Sequence, residues 1–245
     1  MKRPFLTPTG TVRRRFLDDP PLVQNDDAVR EESCYAQVVG HEEHRHARPA
    51  LEFGQAGARA GRKAGDQVWE AHTVAVAGLA QLRAGHDQEA LGLAQRLQAL
   101  MEKGVTSRLL ALECMAAAAE IFFSLWRKGA GDSTWLADYV RKQARVAVRQ
   151  LERTGERGRT RFLLWSGVWA SLRGQRGLAL KRLEASLAES RLKKMPFEEG
   201  LACTELSRVL GIRDPAGAAY RDRAVAIFQA TNASWYKRRA ETLPT

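Results

Sequence analysis

The sequence predicts an all-α protein in which antiparallel helical hairpins are stacked side by side. Three observations lead to this prediction. Apolar residues recur every three to four positions in block after block, no segment shows the alternation typical of a β-strand, and glycines end most of the blocks. We expect the array over residues 27–245. Residues 1–26 carry four prolines among charged residues and no sustained apolar period, so they are expected to form an extended or disordered leader.

Glycines divide the first half of the chain into helical blocks. A glycine readily ends a helix because, without a Cβ atom, it adopts the left-handed conformation at little cost. Residues 65, 85 and 104 are glycines at the ends of apolar periods, and the most apolar period is followed by a Gly-Ala-Gly-Asp-Ser loop whose serine can cap the next helix. The predicted helices are therefore residues 50–64, 66–84, 87–103, 106–128 and 133–154.

Glycine and proline together divide the second half. Gly174 and Gly211 follow apolar periods, and Pro196 separates two others. Asp214 is a capping residue followed by a proline, which is favoured in the first turn of a helix. The predicted helices here are residues 162–172, 178–192, 197–210, 215–228 and 232–243.

One spacing of glycine and alanine occurs twice. A glycine late in the first helix of a hairpin lets the partner helix approach, the next glycine ends that helix, and a small alanine fits where the second helix crosses. The pattern Gly-x6-Gly-x4-Ala-Leu has the same spacing at both places and predicts six structural positions: Gly78, Gly85, Ala90, Gly167, Gly174 and Ala179.

At these positions the chain resembles the tetratricopeptide repeat (TPR) family, whose units pair two antiparallel helices and carry a Leu-Gly step, an Ala-x3-Phe step and a proline. Ala224 and Phe228 fit the second step, and Pro196 stands between two units. The family's tryptophan, leucine and tyrosine around the first glycine are absent, and unit lengths are about 35 to 50 residues rather than 34. The resemblance covers roughly residues 50–240 and implies a TPR-like α-solenoid.

The Leu-Arg-Ala-Gly and Arg-Gly-Gln-Arg-Gly turns are similar to those of degenerate repeat arrays in bacterial signalling proteins. Such arrays form the C-terminal regions of STAND-type signalling ATPases, LuxR-type regulators and some serine/threonine kinases. The resemblance implies a protein–protein interaction or sensor module of a bacterial signalling or regulatory system, binding a protein or peptide on its concave face. No GxxxxGK[ST], HRD or DFG motif is present, so we expect no enzymatic activity and no cofactor.

The positive charge of the chain is concentrated in one segment. Lys and Arg number 39 against 28 Asp and Glu, and residues 141–194 hold 15 Lys or Arg against four Asp or Glu. Arg141, Arg145, Arg149 and Arg153 recur every four residues, opposite an apolar line on the same predicted helix. A solvated outer face is the commonest interpretation of such a cationic stripe. Its functional interpretation is contact with an acidic protein partner, and the alternative function is a nucleic-acid-binding helical protein that uses residues 141–194.

Two glutamates are the least expected charges in the chain. Glu113 and Glu120 are seven residues apart on one face of the most apolar predicted helix. Either they face a groove or they pair with arginines of a neighbouring helix. The same two charges argue against a membrane span, and no secretory signal is recognisable. The three cysteines are too far apart in sequence to suggest a disulfide framework, so a cytoplasmic location is expected.

Two further patterns bear on ligand binding. The segment from His41 to His46, with the sequence HEEHRH, has histidines at spacings that differ from the zinc motif HExxH, so we predict a solvated polar turn. Adventitious metal binding and a metallohydrolase are the alternatives there. Gly54, Gly57, Gly61 and Gly65 lie three and four residues apart on one helix face, which indicates close helix packing or a weak, flexible helix rather than a phosphate-binding loop.

Overall fold

The structure is a computed structural model that describes residues 44–103, 108–129 and 134–244. These residues form ten α-helices and one short 3₁₀ helix, and no β-strand occurs among them. The all-α prediction is therefore confirmed for this part of the chain. The helices are α1 (His44–Ala64), α2 (Gln67–Ala84), α3 (Asp87–Glu102), α4 (Arg108–Arg127), α5 (Thr134–Glu152), α6 (Arg159–Leu172), α7 (Arg176–Leu192), α8 (Pro196–Leu210), α9 (Pro215–Ala230) and α10 (Ser234–Glu241), with the 3₁₀ helix Gly155–Gly158 before α6.

Most predicted helix ends lie within a few residues of the observed ones, and the largest difference is at the start of α1. Residues 44–46 were expected in a polar turn but lie in the first turn of α1, so that prediction is wrong for them. The prediction uses Pro49 as a boundary, whereas the helix begins five residues before this proline and continues through it. The rest of the HEEHRH segment and the predicted leader, residues 1–26, lie outside the described residues.

Local capping explains why several helices begin and end where they do. The side chain of Asp66 accepts a hydrogen bond from the backbone N–H of Trp69 at 3.0 Å and starts α2. Asp214 accepts from the N–H of Ala216 at 2.8 Å and starts α9. Gly85 has a φ of +84° and ends α2, which is the left-handed conformation that glycine adopts most readily.

The helices pack in chain order and fall into two groups. We call α2, α4, α6, α8 and α10 the first helices, and α3, α5, α7 and α9 the second helices. Each first helix packs against the second helix that follows it, and each second helix packs against the next first helix. The first helices α2, α4, α6 and α8 also contact one another in order, so they form an inner layer. Helix α1 packs along α2.

Small residues sit at the closest helix crossings. A Cβ atom on Gly78 would lie 2.9 Å from Cδ1 of Ile121, and one on Gly167 would lie 2.7 Å from Cγ of Leu183. In α1, a Cβ on Gly54 would lie 2.7 Å from Cβ of Ala77, in keeping with the close packing expected of this glycine face. Gly174 has a φ of +73°. The alanines and the phenylalanine of the repeat pattern are buried: Ala90, Ala179, Ala224 and Phe228.

A continuous hydrophobic core runs along the array and includes an aromatic stack between α4 and α6. The rings of Phe123 and Trp165 are nearly parallel, with centroids 5.5 Å apart. Trp126 and Trp169 meet edge to face at 5.1 Å beside them. The two tryptophans of α6 therefore belong to the core, as their four-residue spacing suggested.

Candidate functional site

The inner layer contains a buried ion-pair triad that joins three first helices. Arg161 of α6 donates to Oε1 of Glu113 of α4 at 2.5 Å through Nη1. Its Nε and Nη2 donate to Oε1 of Glu198 of α8 at 3.0 and 2.8 Å. All three side chains are buried. One guanidinium group thus holds two carboxylates in an environment where an unpaired charge would be costly.

Burial and charge act in opposite directions on the pKa values of this triad. Burial favours the neutral form of Glu113 and raises its pKa, although the positive charge of Arg161 partly opposes the shift. Burial also favours the neutral form of Arg161, but the negative charges of Glu198 and Glu113 outweigh it and raise the pKa of the guanidinium group. Arg161 therefore stays charged, and Glu113 is the carboxyl group that binds a proton more readily than in water.

Tyr236 connects the last helix to two helices far away in sequence. Its hydroxyl group donates to the carboxylate of Glu120 on α4, with O–O distances of 2.8 and 2.9 Å. The same hydroxyl accepts a hydrogen bond from Nη2 of Arg83 on α2 at 2.9 Å. The guanidinium carbon of Arg83 also lies 5.1 Å from the centre of the Tyr236 ring, within the range of a cation–π interaction. Helix α10 is thereby held against α2 and α4.

A second ionic group joins α4 and α8 further along the inner layer. Nη2 of Arg127 lies 2.7 Å from Oε2 of Glu205, and Arg208 pairs with the other oxygen of that carboxylate. Burial alone would raise the pKa of Glu205, but the charges of Arg127 and Arg208 outweigh it and hold that pKa at about 2. Burial lowers the pKa of Arg127 to about 10, so both partners are charged at neutral pH.

Little space remains between these side chains. A cavity of about 40 Å³ lies among α4, α6, α8 and α10, with Glu113, Glu120 and Glu198 in its wall beside Trp165 and Tyr236. This volume holds only a few water molecules. Both interpretations of the two glutamates of α4 are therefore partly right, because they line a cavity and are also hydrogen-bonded. The donor to Glu113 is an arginine. Glu120 accepts a hydrogen bond from a tyrosine and also lies 4.0 Å from Nη1 of Arg239.

The cationic stripe lies on the outer side of α5. Arg141, Arg145, Arg149 and Arg153 are all exposed. Arg141 pairs with Asp138 at 3.3 Å, while the other three form no ion pair with any residue that the structure describes. The opposite side of the helix is fully buried and consists of Val140, Ala144, Ala147 and Leu151.

Sequence reasoning missed one residue of the outer surface and most of the inner network. Trp135, at the start of α5, is 69% exposed, which is the highest value among the exposed large aromatic side chains in the described part of the chain. The inner partners Arg161 and Tyr236 gave no local signal. Glu198 and Glu205 did give one, because they repeat on α8 the seven-residue spacing of the two glutamates on α4.

Two kinds of site are absent from the described residues: a metal-binding cluster and an activated thiol. No group of three or more His, Cys, Asp or Glu side chains among them is placed to hold a metal ion. Burial raises the pKa of Cys114 to about 12 and that of Cys203 to about 11, so neither thiol is an activated nucleophile. In the same part of the chain, no helix is both long and apolar enough to cross a bilayer.

No protein-family model matches this chain, and no curated protein matches it at a significant level. Two features of the structure bear on function: the closed inner network and the exposed outer face of α5.

Proposed function

We propose that this protein is a non-catalytic protein–protein interaction module, built as a TPR-like α-solenoid, that binds an acidic protein partner in a bacterial signalling or regulatory system. Three features support the solenoid: helices that pack in chain order, the division into inner and outer helices, and the repeated glycine and alanine spacing. In a helical repeat array the outer helices leave one long exposed surface, which suits a binding role better than a catalytic one.

The single observation that carries the proposed partner is the unpaired positive charge on α5. Arg145 and Arg149 project from the outer side of this helix, and Arg153 follows its last residue. None of the three forms an ion pair within the described part of the chain. Exposed cations without partners attract an acidic surface and speed its association. Because the inner side is occupied by the protein's own side chains, we place the partner on α5 rather than on the concave face.

The nucleic-acid alternative makes a different prediction about salt. Each phosphate contact releases a bound counterion. The logarithm of the affinity for a nucleic acid therefore falls linearly with the logarithm of the salt concentration, with a slope set by the number of contacts. A protein partner that also buries apolar surface is expected to show a weaker dependence on salt. The titration of binding against salt concentration therefore separates the two functions.

The test is capture of a partner from a lysate of the source cells with two charge-reversal variants. Arg145→Glu with Arg149→Glu is expected to release the partner. The matched control, Arg176→Glu with Lys181→Glu, reverses two exposed cations of α7 that form no ion pair with other described residues, and it should retain the partner. Equal retention by both variants, or capture that nuclease treatment abolishes, would contradict the proposal.

A further inference from the structure

We infer that the partner presents an acidic amphipathic helix that lies along one line of α5, formed by Trp135, Lys142 and Arg149, an inference that rests on the proposed interaction function. We call these three residues the docking line. All three are exposed, and they are spaced seven residues apart.

The docking line is the part of α5 that points most directly away from the core. An α-helix turns about 100° per residue, so a step of seven residues drifts by only about 20° and the three side chains lie within about 40° of one another. The centre of the buried line, Val140 to Leu151, is about 170° away around the helix. A partner that approaches from solvent therefore meets these three residues together with Asp138, whose carboxylate is paired with Arg141.

The four arginines of the stripe do not form such a line. A step of four residues advances about 40° around the helix, so the stripe winds away from any flat partner. Arg141 points about 100° away from its neighbour Lys142, and its guanidinium group is already paired with Asp138. We therefore expect Arg141 to contribute little to binding, although it carries the same charge as the residues of the docking line.

The chemistry of the docking line defines its occupant. Tryptophan is often a binding hot spot in protein interfaces, and its ring packs against an apolar group of the partner. Lys142 and Arg149 form no ion pair with other described residues and require carboxylates. Successive residues of the docking line are about 10.5 Å apart along the axis of α5, which is also the rise over seven residues of a partner helix. A helix with an apolar residue and carboxylates seven and fourteen residues away matches all three.

A second copy of this protein does not meet these requirements. The chain has a net charge of +11, and the docking line itself carries two cations. Two copies facing each other along α5 would bring like charges together, which opposes association.

The test uses two synthetic helical peptides of identical composition, verified as helical by circular dichroism and titrated by fluorescence anisotropy at low ionic strength. One peptide carries leucine and two glutamates at positions i, i+7 and i+14. In the other, the glutamates are moved to the opposite face. We expect the first peptide to bind at least tenfold more tightly. The variants Trp135→Ala and Lys142→Glu should each weaken it at least tenfold, while the adjacent control, Arg141→Glu, should change it less than threefold.

Several outcomes overturn this inference without touching the proposed function. Equal affinity of the two peptides, binding of neither, or equal losses in Lys142→Glu and Arg141→Glu would rule out the docking line. If the lysate experiment still showed release by the Arg145 and Arg149 variant, the acidic partner would stand and only its geometry would fail. Tighter binding of a DNA duplex than of either peptide would overturn both.

Discussion

Arg161 and Glu198 are joined by two hydrogen bonds to a single oxygen, since both Nε and Nη2 of the guanidinium group donate to Oε1 of the carboxylate. The remaining nitrogen, Nη1, serves Glu113. Such buried networks stabilise a fold only weakly relative to an apolar core, yet removing one partner is costly because the remaining charges lose their compensation. The triad therefore joins α4, α6 and α8 at a point where the loss of any one member would leave a buried charge unpaired.

Replacing Arg161 with methionine should destabilise the protein strongly. The substitution leaves two buried carboxylates without a cation, for which a loss of about 3 to 5 kcal/mol in the free energy of unfolding is typical. Urea denaturation followed by circular dichroism measures it. The neighbouring Arg159 is exposed and pairs only at the surface, so Arg159→Met should leave the midpoint unchanged. Similar midpoints for the two variants would contradict the role assigned to the triad.

Removing the hydroxyl group of Tyr236 should also lower stability. Tyr236→Phe keeps the ring in place but removes the hydrogen bond to the buried carboxylate of Glu120, whose nearest charged partner, Nη1 of Arg239, is 4.0 Å away. The expected cost is about 1 to 3 kcal/mol. Tyr220→Phe is the control, because that hydroxyl forms no hydrogen bond with a described residue. The two unfolding midpoints in urea provide the comparison, and an unchanged midpoint for Tyr236→Phe would argue against the hydrogen bond.

Glu205 should make stability depend on pH in the acid range. Its pKa in the folded protein, about 2, is below the ordinary value of 4.5, so the folded state favours the charged form. Stability from this group is fully present above about pH 4.5 and is lost as the pH falls towards 2, with a total of about 3 kcal/mol. The difference in unfolding free energy between wild type and Glu205→Gln should therefore shrink as the pH is lowered.

The control for this experiment is Glu184→Gln, which alters an exposed glutamate of α7 that forms no ion pair within the described residues. Its difference from wild type should be small at every pH. A constant difference for Glu205→Gln across the range from pH 7 to pH 3 would show that the ion pairs with Arg127 and Arg208 do not set its pKa.

Two glycines in helices should respond to alanine in opposite ways. Gly167→Ala places a Cβ atom 2.7 Å from Leu183, and such overpacking usually costs about 1 to 3 kcal/mol. Gly92 lies inside α3 with open space around it, so Gly92→Ala should raise stability by about 0.5 to 1 kcal/mol through the gain in helix propensity. Thermal unfolding measures both changes: the melting temperature should fall in Gly167→Ala and rise in Gly92→Ala. A stabilised Gly167→Ala variant would contradict the close crossing of α6 and α7.

The sequence predicts the helices well because their signals are local. The cap at Asp66 and the left-handed Gly85 act within a few residues of their own positions, so pattern and composition suffice to find them. The inner network is not local. Glu113 and Arg161 are 48 residues apart, and Glu120 and Tyr236 are 116 apart. Which charges meet depends on how each hairpin is rotated against the next, and a single sequence does not contain that information.

The contact between Arg83 and Tyr236 spans 153 residues and ties the second described helix to the last one. In an open row of repeats, the terminal unit detaches without disturbing the others. Here, release of α10 must also break bonds made by α2 and α4, so fraying at one end is coupled to the opposite end. We therefore expect truncation before residue 234 to lower protection from hydrogen exchange in α2, not merely in the adjoining α9.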